Sequence, residues 1–335
     1  MQTAVLSQCD TGHNGTEPRL SITLVHHQGL TVLRDCLQSI QDHPPTVPFE
    51  VIVVDNASSE GAPEMVRREF PQVILLQNEH PRGFGANQNR AMSVARGEYL
   101  LLLNDDTRVH PRALDVLCSY LDTHPQTAVV GPRLLHPDGT LQISCYRFPS
   151  PWRSVLENLL LVAAFPGHPV IGDYRTWPHD TSREVDFVIG AAMLVRRCVL
   201  ERVGGFDEAF FLYFEEIDWQ RRIRQQGWQI AFCPDAVITH LGGQSTRQVR
   251  PRQLVEFNRG HLQFIRKHYG PGGALILRAM MLTGSLLRLS LWSMVALLQP
   301  ARRETARAQI ALWYFHLRWW SGWDRTPGLS EQAHA

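Results

Sequence analysis

The chain has 335 residues, 44% of them hydrophobic and 19% charged, with 33 basic and 32 acidic side chains. That composition supplies a sizeable apolar core and excludes a disordered or fibrous chain. The six cysteines (9, 36, 118, 145, 198 and 233) have no metal-binding spacing and read as scattered thiols of a reducing compartment, and the first twenty residues lack the apolar stretch of a signal peptide.

Residues 1–18 are polar and are expected to form a disordered tail. Strand and helix patterns then alternate. Leu20–Val25 reads as a short apolar strand, and Leu33, Cys36, Leu37 and Ile40 follow at helical spacing. Val51–Val54 is a β-branched strand that stops at Asp55. A short helix is expected over 61–70, a strand at Val73–Leu76, and a helix from the Gly83-Phe-Gly-Ala turn to about Arg96. Leu100–Leu103 is a run of four leucines, which suits a strand covered on both faces. It ends abruptly at Asn104, Asp105 and Asp106. A helix from Pro111 carries Leu114, Leu117, Cys118 and Leu121 on one face. This is a series of βαβ units, hence a mainly parallel sheet with helices on both faces.

Residues 132–185 show no clear period. Order returns with the run Asp186–Val195, a helix from Glu215 to about Gln226, and short strands at Trp228–Phe232 and Ala236–Thr239. The domain boundaries expected are a tail over 1–18, a catalytic domain over 19–245 and a helical extension over 246–335.

Charge divides along the same line. Residues 1–245 hold 20 basic and 28 acidic side chains, whereas residues 246–335 hold 13 basic and four acidic. Within the extension Arg278 and Arg288 interrupt a strongly apolar stretch, so its longest uncharged run, Leu289–Ala301, falls short of the roughly 20 residues that span a bilayer. With Trp292, Trp313, Trp319, Trp320 and Trp323, the extension reads as interfacial amphipathic helices on an anionic membrane surface, or as helices packed on protein.

Acids and one imidazole mark the strand ends: Asp55, Asp105, Asp106 and His240, with Glu215, Glu216 and Asp218 opening a helix. In an open α/β sheet, ligands bind at the carboxyl ends of the strands. Hard oxygen ligands there suit Mg²⁺ or Mn²⁺, held by one or two carboxylates plus substrate phosphates.

Six segments, in order, carry a resemblance: VIVVDNAS (51–58), NEHPRGFGANQN (78–89), GEYLLLLNDDT (97–107), VIGAAMLVRR (188–197), GGFDEAFFLYFEEIDWQRRIRQQGW (204–228) and HLGGQS (240–245). Together they resemble glycosyltransferase family 2, the inverting enzymes of GT-A fold, in its rhamnosyltransferase-like branch. The resemblance implies that Asp55 contacts the nucleobase or ribose of a donor, and that Gly83, Gly85 and Asn87 line the nucleotide pocket with Arg82 near phosphate. It implies Asn104-Asp105-Asp106 as the D-x-D element, with Asp106 and His240 as metal ligands and Asn104 and Asp105 toward the donor. Glu216 matches the catalytic base, where the family usually has Asp after Glu. Gly190, Ala191, Glu215, Asp218 and Arg222 would shape the acceptor side. Val25-His26-His27 departs from the family's polar-Tyr-Asn pattern.

The resemblance further implies a metal-dependent hexosyltransferase of cell-envelope polysaccharide synthesis. It would use Mg²⁺ or Mn²⁺, a dTDP- or UDP-sugar donor, rhamnose first, and a saccharide or polyprenyl-linked saccharide acceptor. The expected location is cytoplasmic, peripheral on the inner face of the membrane. A homo-oligomer is compatible with this reading, and nucleic acid is not expected as a partner. Two rivals are a sugar nucleotidyltransferase, which would want a basic Gly-rich loop where His26-His27-Gln28-Gly29 stands, and a non-catalytic sugar-nucleotide-binding or membrane scaffold protein.

Overall fold

A computed structural model of the chain describes residues 17–168, 170–242, 250–324 and 326–330. The tail expected over 1–18 therefore lies outside the described residues except for its last two, as do Gly243, Gln244 and Ser245 of the HLGGQS segment. The chain forms two compact units. The first takes in the chain to Phe148 and Trp177–Arg250; the second is Pro149–Thr176 with Pro251–Glu331.

The first unit is built on a mixed sheet. Strands β1 (Leu20–His26), β2 (Phe49–Asp55), β3 (Ile74–Gln77) and β4 (Tyr99–Asn104) run parallel in the order β3-β2-β1-β4. Leu100–Leu103 are each fully buried, as a strand covered on both faces requires. Each such leucine contributes about 1.5–3 kcal/mol of burial. Helix α1 (Leu30–Asp42) covers one face through Leu33, Cys36, Leu37 and Ile40, joined by α2 (Ala62–Glu69). Helix α3 (Phe84–Val94) covers the other, where Gln88 accepts a hydrogen bond from Thr23 at 2.8 Å.

Past β4 the chain turns through Asp105 and Asp106 into β5 (Thr107–Val109), then α4 (Ala113–Thr123) and β6 (Thr127–Leu135). Two two-residue strands follow, β7 (Leu141–Gln142) and β8 (Cys145–Tyr146). The stretch expected to be irregular from 132 thus begins as sheet. It then leaves the first unit: α5 (Pro151–Asn158) and α6 (Leu161–Ala164) belong to the second.

On return the chain forms β9 (Arg183–Glu184), β10 (Phe187–Val188), β11 (Ala192–Arg196), α7 (Arg197–Val203), α8 (Glu215–Gln225) and β12 (Gln229–His240). Strand β11 sits antiparallel between β4 and β6, and β12 runs parallel to β6 and antiparallel to β5. The two short strands expected at 228–239 are one strand with an irregularity between Cys233 and Val237. Cys36, Cys118, Cys145 and Cys233 are buried free thiols, whereas Cys198 is disulfide-bonded, against the expectation of thiols throughout.

The second unit pairs the inserted α5 with α9 (Arg250–Leu298) and α10 (Arg303–Ser321). Helix α9 is two helical stretches joined at Gly270, whose φ of 72° and ψ of −174° break the helix before Pro271. Small residues bring α5 close. A Cβ at Gly284 would stand 2.2 Å from Asn158 Oδ1, and one at Gly273 would stand 3.1 Å from Pro151 Cγ.

After the kink α9 exposes many apolar side chains: Leu275, Ile276, Leu286, Leu291, Met294 and Leu297 are exposed, Leu297 by 76%. Its two arginines, Arg278 exposed and Arg288 half-buried, reach neighbouring groups of the same unit. Arg278 Nε donates to Trp320 O at 2.8 Å, and Arg288 donates to Glu157 O at 2.9 Å and lies 4.6 Å from the centre of the Trp313 ring. By length and composition α9 is apolar enough to cross a membrane. The expectation of too short an apolar run treats Arg278 and Arg288 as breaks, whereas the helix as a whole is long and apolar enough despite them.

Candidate active site

Strand ends His26, Asp55 and Asn104 lie side by side, since His26 pairs in register with Asp55 and Val25 with Asn104. Asp55 and the turn after β4 are thus two strand spacings apart, about 10 Å. At the β2 and β3 ends is a cavity of about 490 Å³ lined by Asp55, Ser58, Ser59, Glu64, Gln77 and Asn78, among others. Asp55 is 3% exposed, and its Oδ1 is buried without a hydrogen-bond partner. Such an acceptor is costly unless a donor reaches it.

Across the edge, Asp106 meets His240. His240 pairs with Thr107 at the end of β12, and Leu241 N donates to Asp106 O at 2.9 Å, which fixes both side chains on one turn. His240 Nε2 stands 3.1 Å from Asp106 Oδ1. Its Nδ1 donates to Gln142 Oε1 at 2.8 Å, so in the neutral ring Nε2 carries a lone pair. Two acceptors facing each other need a proton or a cation between them. Neighbouring corners of an octahedron with bonds of about 2.1 Å are about 3.0 Å apart, so the pair fits a Mg²⁺- or Mn²⁺-like ion. Among the described residues no group of three or more His, Cys, Asp or Glu side chains forms such a site, so these two would need ligands from elsewhere.

Asp105 turns the other way. Its Oδ2 accepts from His26 Nδ1 at 2.6 Å, and His26 Nε2 lies 3.2 Å from Glu60 Oε1. His26 is fully buried. Burial alone would lower its basicity, but the bond to Asp105 and the charges of Glu60 and Asp55 outweigh it and raise the imidazole above its ordinary value. Burial pushes the Asp105 carboxyl up, with the His26 bond pulling back. The His26 position that departs from the family pattern is therefore a structural partner of the acidic turn, bonded through Asp105 Oδ2.

The glycine turn has a similar lesson. Asn87 is fully buried and its amide donates to Arg82 O and Gly83 O while its oxygen accepts from Asn78 at 2.6 Å. Asn56 completes the clamp, accepting from Arg82 N at 2.7 Å. Phe84 N donates to Phe211 O, and a Cβ on Gly83 would come within 2.7 Å of that oxygen. A Cβ on Gly85 would meet Phe206 Cβ at 3.0 Å. These residues, assigned to the nucleotide pocket by resemblance, close α3 onto the segment before α8. Arg82 reaches Glu208 at 3.4 Å on the surface.

Helix α8 starts under strain: Tyr213 and Phe214 both have positive φ, 69° and 71°. The turn delivers Glu215 and Glu216. Glu215 is buried against Gly85, and Glu216 is half-buried with Gly190 3.5 Å from its Cγ as a Cβ would be placed. The Oε2 atoms of both are buried without a partner. Burial pushes both carboxyls up, that of Glu215 furthest, helped by the charge of Glu216. Ala191 O accepts from Asn104 N at 2.9 Å, so the Gly190-Ala191 turn ties the half-buried Asn104 to the Glu216 side. Asp218 is fully buried and pairs with Arg222 at 2.9 Å, and Arg222 also donates to Val203 O and Gly205 O. That pair anchors the helix.

Asn56, Asn78 and Gln142 are given no role by sequence reasoning, and His26 only as a departure from the family pattern. The His26 mismatch was visible but had no partner in sequence, and Gln142 fell in the stretch with no period.

The profile of the family described as "Glycosyltransferase like family 2" matches residues 18–259. An N-acetylglucosaminyl-diphospho-decaprenol L-rhamnosyltransferase of Mycobacterium tuberculosis is 29% identical over 265 residues, covering 72% of this chain and 86% of that protein. The O-antigen biosynthesis protein RfbC of Myxococcus xanthus is 29% identical over 239 residues, 69% of this chain but 18% of that protein. Among solved structures, the mannosyltransferase PcManGT of Pyrobaculum calidifontis, in complex with GDP-Man and Mn²⁺, superposes with a TM-score of 0.53 at 18% identity over 95% of this chain and 94% of that one.

Proposed function

The chain belongs to glycosyltransferase-like family 2 and has the GT-A fold, and on that premise we propose that it transfers a sugar, rhamnose first, from a dTDP- or UDP-sugar to a lipid-linked saccharide with inversion. The observation that carries this reading is the Asp106–His240 pair, with its two donor atoms 3.1 Å apart at the sheet edge. Asp55, two strands away, offers its lone buried acceptor to an N–H donor, and thymine and uracil both present one at N3. The M. tuberculosis relative's name supports rhamnose and a diphospho-polyprenol acceptor.

Asp106 and His240 would hold Mg²⁺ or Mn²⁺, which when bound supplies positive charge to the diphosphate leaving group. Glu216 accepts the proton of an acceptor hydroxyl. The oxygen then attacks the anomeric carbon on the face opposite the diphosphate, the carbon–oxygen bond to phosphate breaks, and the configuration inverts. A carboxylate pushed up by burial is suited to this work near neutral pH. The Glu216 side chain, one methylene longer than the usual Asp, lies against Gly190.

The exposed apolar stripe of α9 supports a membrane surface as partner, with the chain peripheral on the cytoplasmic face. The test is a donor panel: purified chain, Mn²⁺, and dTDP-rhamnose or UDP-sugars with a polyprenyl-diphosphate-linked saccharide. Product with inverted anomeric configuration is expected. Donor binding without turnover on any acceptor would favour the scaffold reading.

A further inference from the structure

The second unit carries an open surface pocket of about 540 Å³, lined by Arg259, Leu262, Gln263, Arg266, Lys267 and Trp319. Four of these fall at i, i+3, i+4 and i+7 on α9, so they share one helix face. Arg259 is partly shared with Glu256, 3.5 Å away, and with Ser330. Arg266 and Lys267 are exposed beside it. Trp319 closes the pocket from α10, where it packs edge-on to Trp320 at 4.8 Å.

Along α9 the Gly270 kink separates the pocket residues from Leu275 and Ile276, where the exposed apolar stretch begins. A contact through α10 links the two stretches: Trp320 O, next to Trp319, accepts from Arg278 at 2.8 Å. Cations and an indole thus gather where exposed apolar side chains start. Tryptophan and arginine favour the level of lipid headgroups, and apolar side chains the acyl layer below. A ligand with a phosphoryl head and an apolar tail meets both halves of this arrangement.

We infer that the Arg259–Arg266–Lys267–Trp319 pocket binds the phosphoryl head of a membrane amphiphile whose apolar chain lies along the α9 stripe. Two sources have this chemistry: the headgroup of an anionic phospholipid, and the diphosphate of a polyprenyl-linked acceptor. The inference rests on the membrane part of the proposed function. It concerns binding alone, so it is separable from transfer.

The experiment is vesicle flotation of the full chain without donor. Three vesicles are used: phosphatidylcholine alone, phosphatidylcholine with phosphatidylglycerol, and phosphatidylcholine with polyprenyl diphosphate at matched surface charge. The chain is expected to bind phosphoryl-bearing anionic vesicles about 30-fold more tightly than the neutral ones, from two cations at the surface. R266Q–K267Q should lose that preference, and R266K–K267R should keep it, with melting curves excluding misfolding. Preference for polyprenyl diphosphate at equal charge assigns the acceptor; equal response to both anionic vesicles assigns the phospholipid headgroup. Equal binding to all three vesicles, or an undiminished preference in R266Q–K267Q, overturns the pocket. Because no donor is present, either of those results leaves the transferase reading to its own assay.

Discussion

His26 Nδ1 and Asp105 Oδ2 are 2.6 Å apart, both buried, beneath the turn that presents Asp106. A histidine raised above its unfolded value, about 6.5, stabilises the fold fully below that pH and loses its contribution as pH rises through the folded value. His26→Gln should therefore cost about 1.5–3 kcal/mol at pH 6, the range for a hydrogen bond to a charged group, and less at pH 9. Thermal melts across that range check it; a cost independent of pH would refute the charged pair.

Glu216→Gln should lower transfer by about 10²- to 10⁴-fold, the range for a lost general base, while leaving donor affinity in place. In the parent protein kcat should rise with pH to a plateau, with a midpoint above the usual carboxylate range, because Glu216 must be deprotonated to act. Stopped assays over pH 4–8 read both. Full activity in the Gln variant would remove Glu216 from the chemistry.

Gln142 holds His240 by its Nδ1 hydrogen, leaving Nε2 toward Asp106. Losing such a support typically costs 10–100-fold in metal affinity. Gln142→Leu should weaken Mn²⁺ binding by about that factor in titrations with nucleoside diphosphate present. With two protein ligands, Mn²⁺ binding without nucleotide should be weak in the parent chain, and chelation should stop transfer reversibly. Tight metal binding by the protein alone would show that the ligand pair is incomplete.

Gly83→Ala should destabilise the first unit by about 1–3 kcal/mol, the usual cost of overpacking. The new Cβ would press to 2.7 Å on Phe211 O, a backbone atom with little room to yield. Gly190→Ala meets only ordinary contacts with Glu216, at 3.5 Å, and should melt within about 0.5 kcal/mol of the parent. Denaturant titration of the two separates a glycine required by close approach from one that is not.

Much of the sheet was legible because strands buried on both faces announce themselves. Leu100–Leu103 could lie nowhere else, and the acids at their ends mark the ligand-binding edge. Pairings across the chain were not legible. Asn87 is assigned to the nucleotide pocket by resemblance alone, and the bonds of its amide to Arg82 O, Gly83 O and Asn78 could not be read from the sequence. His26 looked like a mismatch until Asp105 supplied its partner. Arg278 and Arg288 interrupted a hydropathy pattern in one dimension, but in three they point to Trp320, Glu157 and Trp313.

The insertion of Pro149–Thr176 into the chain of the first unit has a practical consequence. Among the described residues the polypeptide passes between the units three times, at 148/149, 176/177 and 250/251. A stop codon after the catalytic strands would not excise the second unit. It would strand α5 without the α9 glycines that receive it, and bare Leu156 and Asn158, which are buried, beside the already exposed Trp152. Truncation would then yield a sticky protein whatever its native affinity for lipid. The two properties are better parted by polar substitutions on the outer stripe, such as Leu291→Asn with Leu297→Asn, than by the shortening that the linear sequence invites.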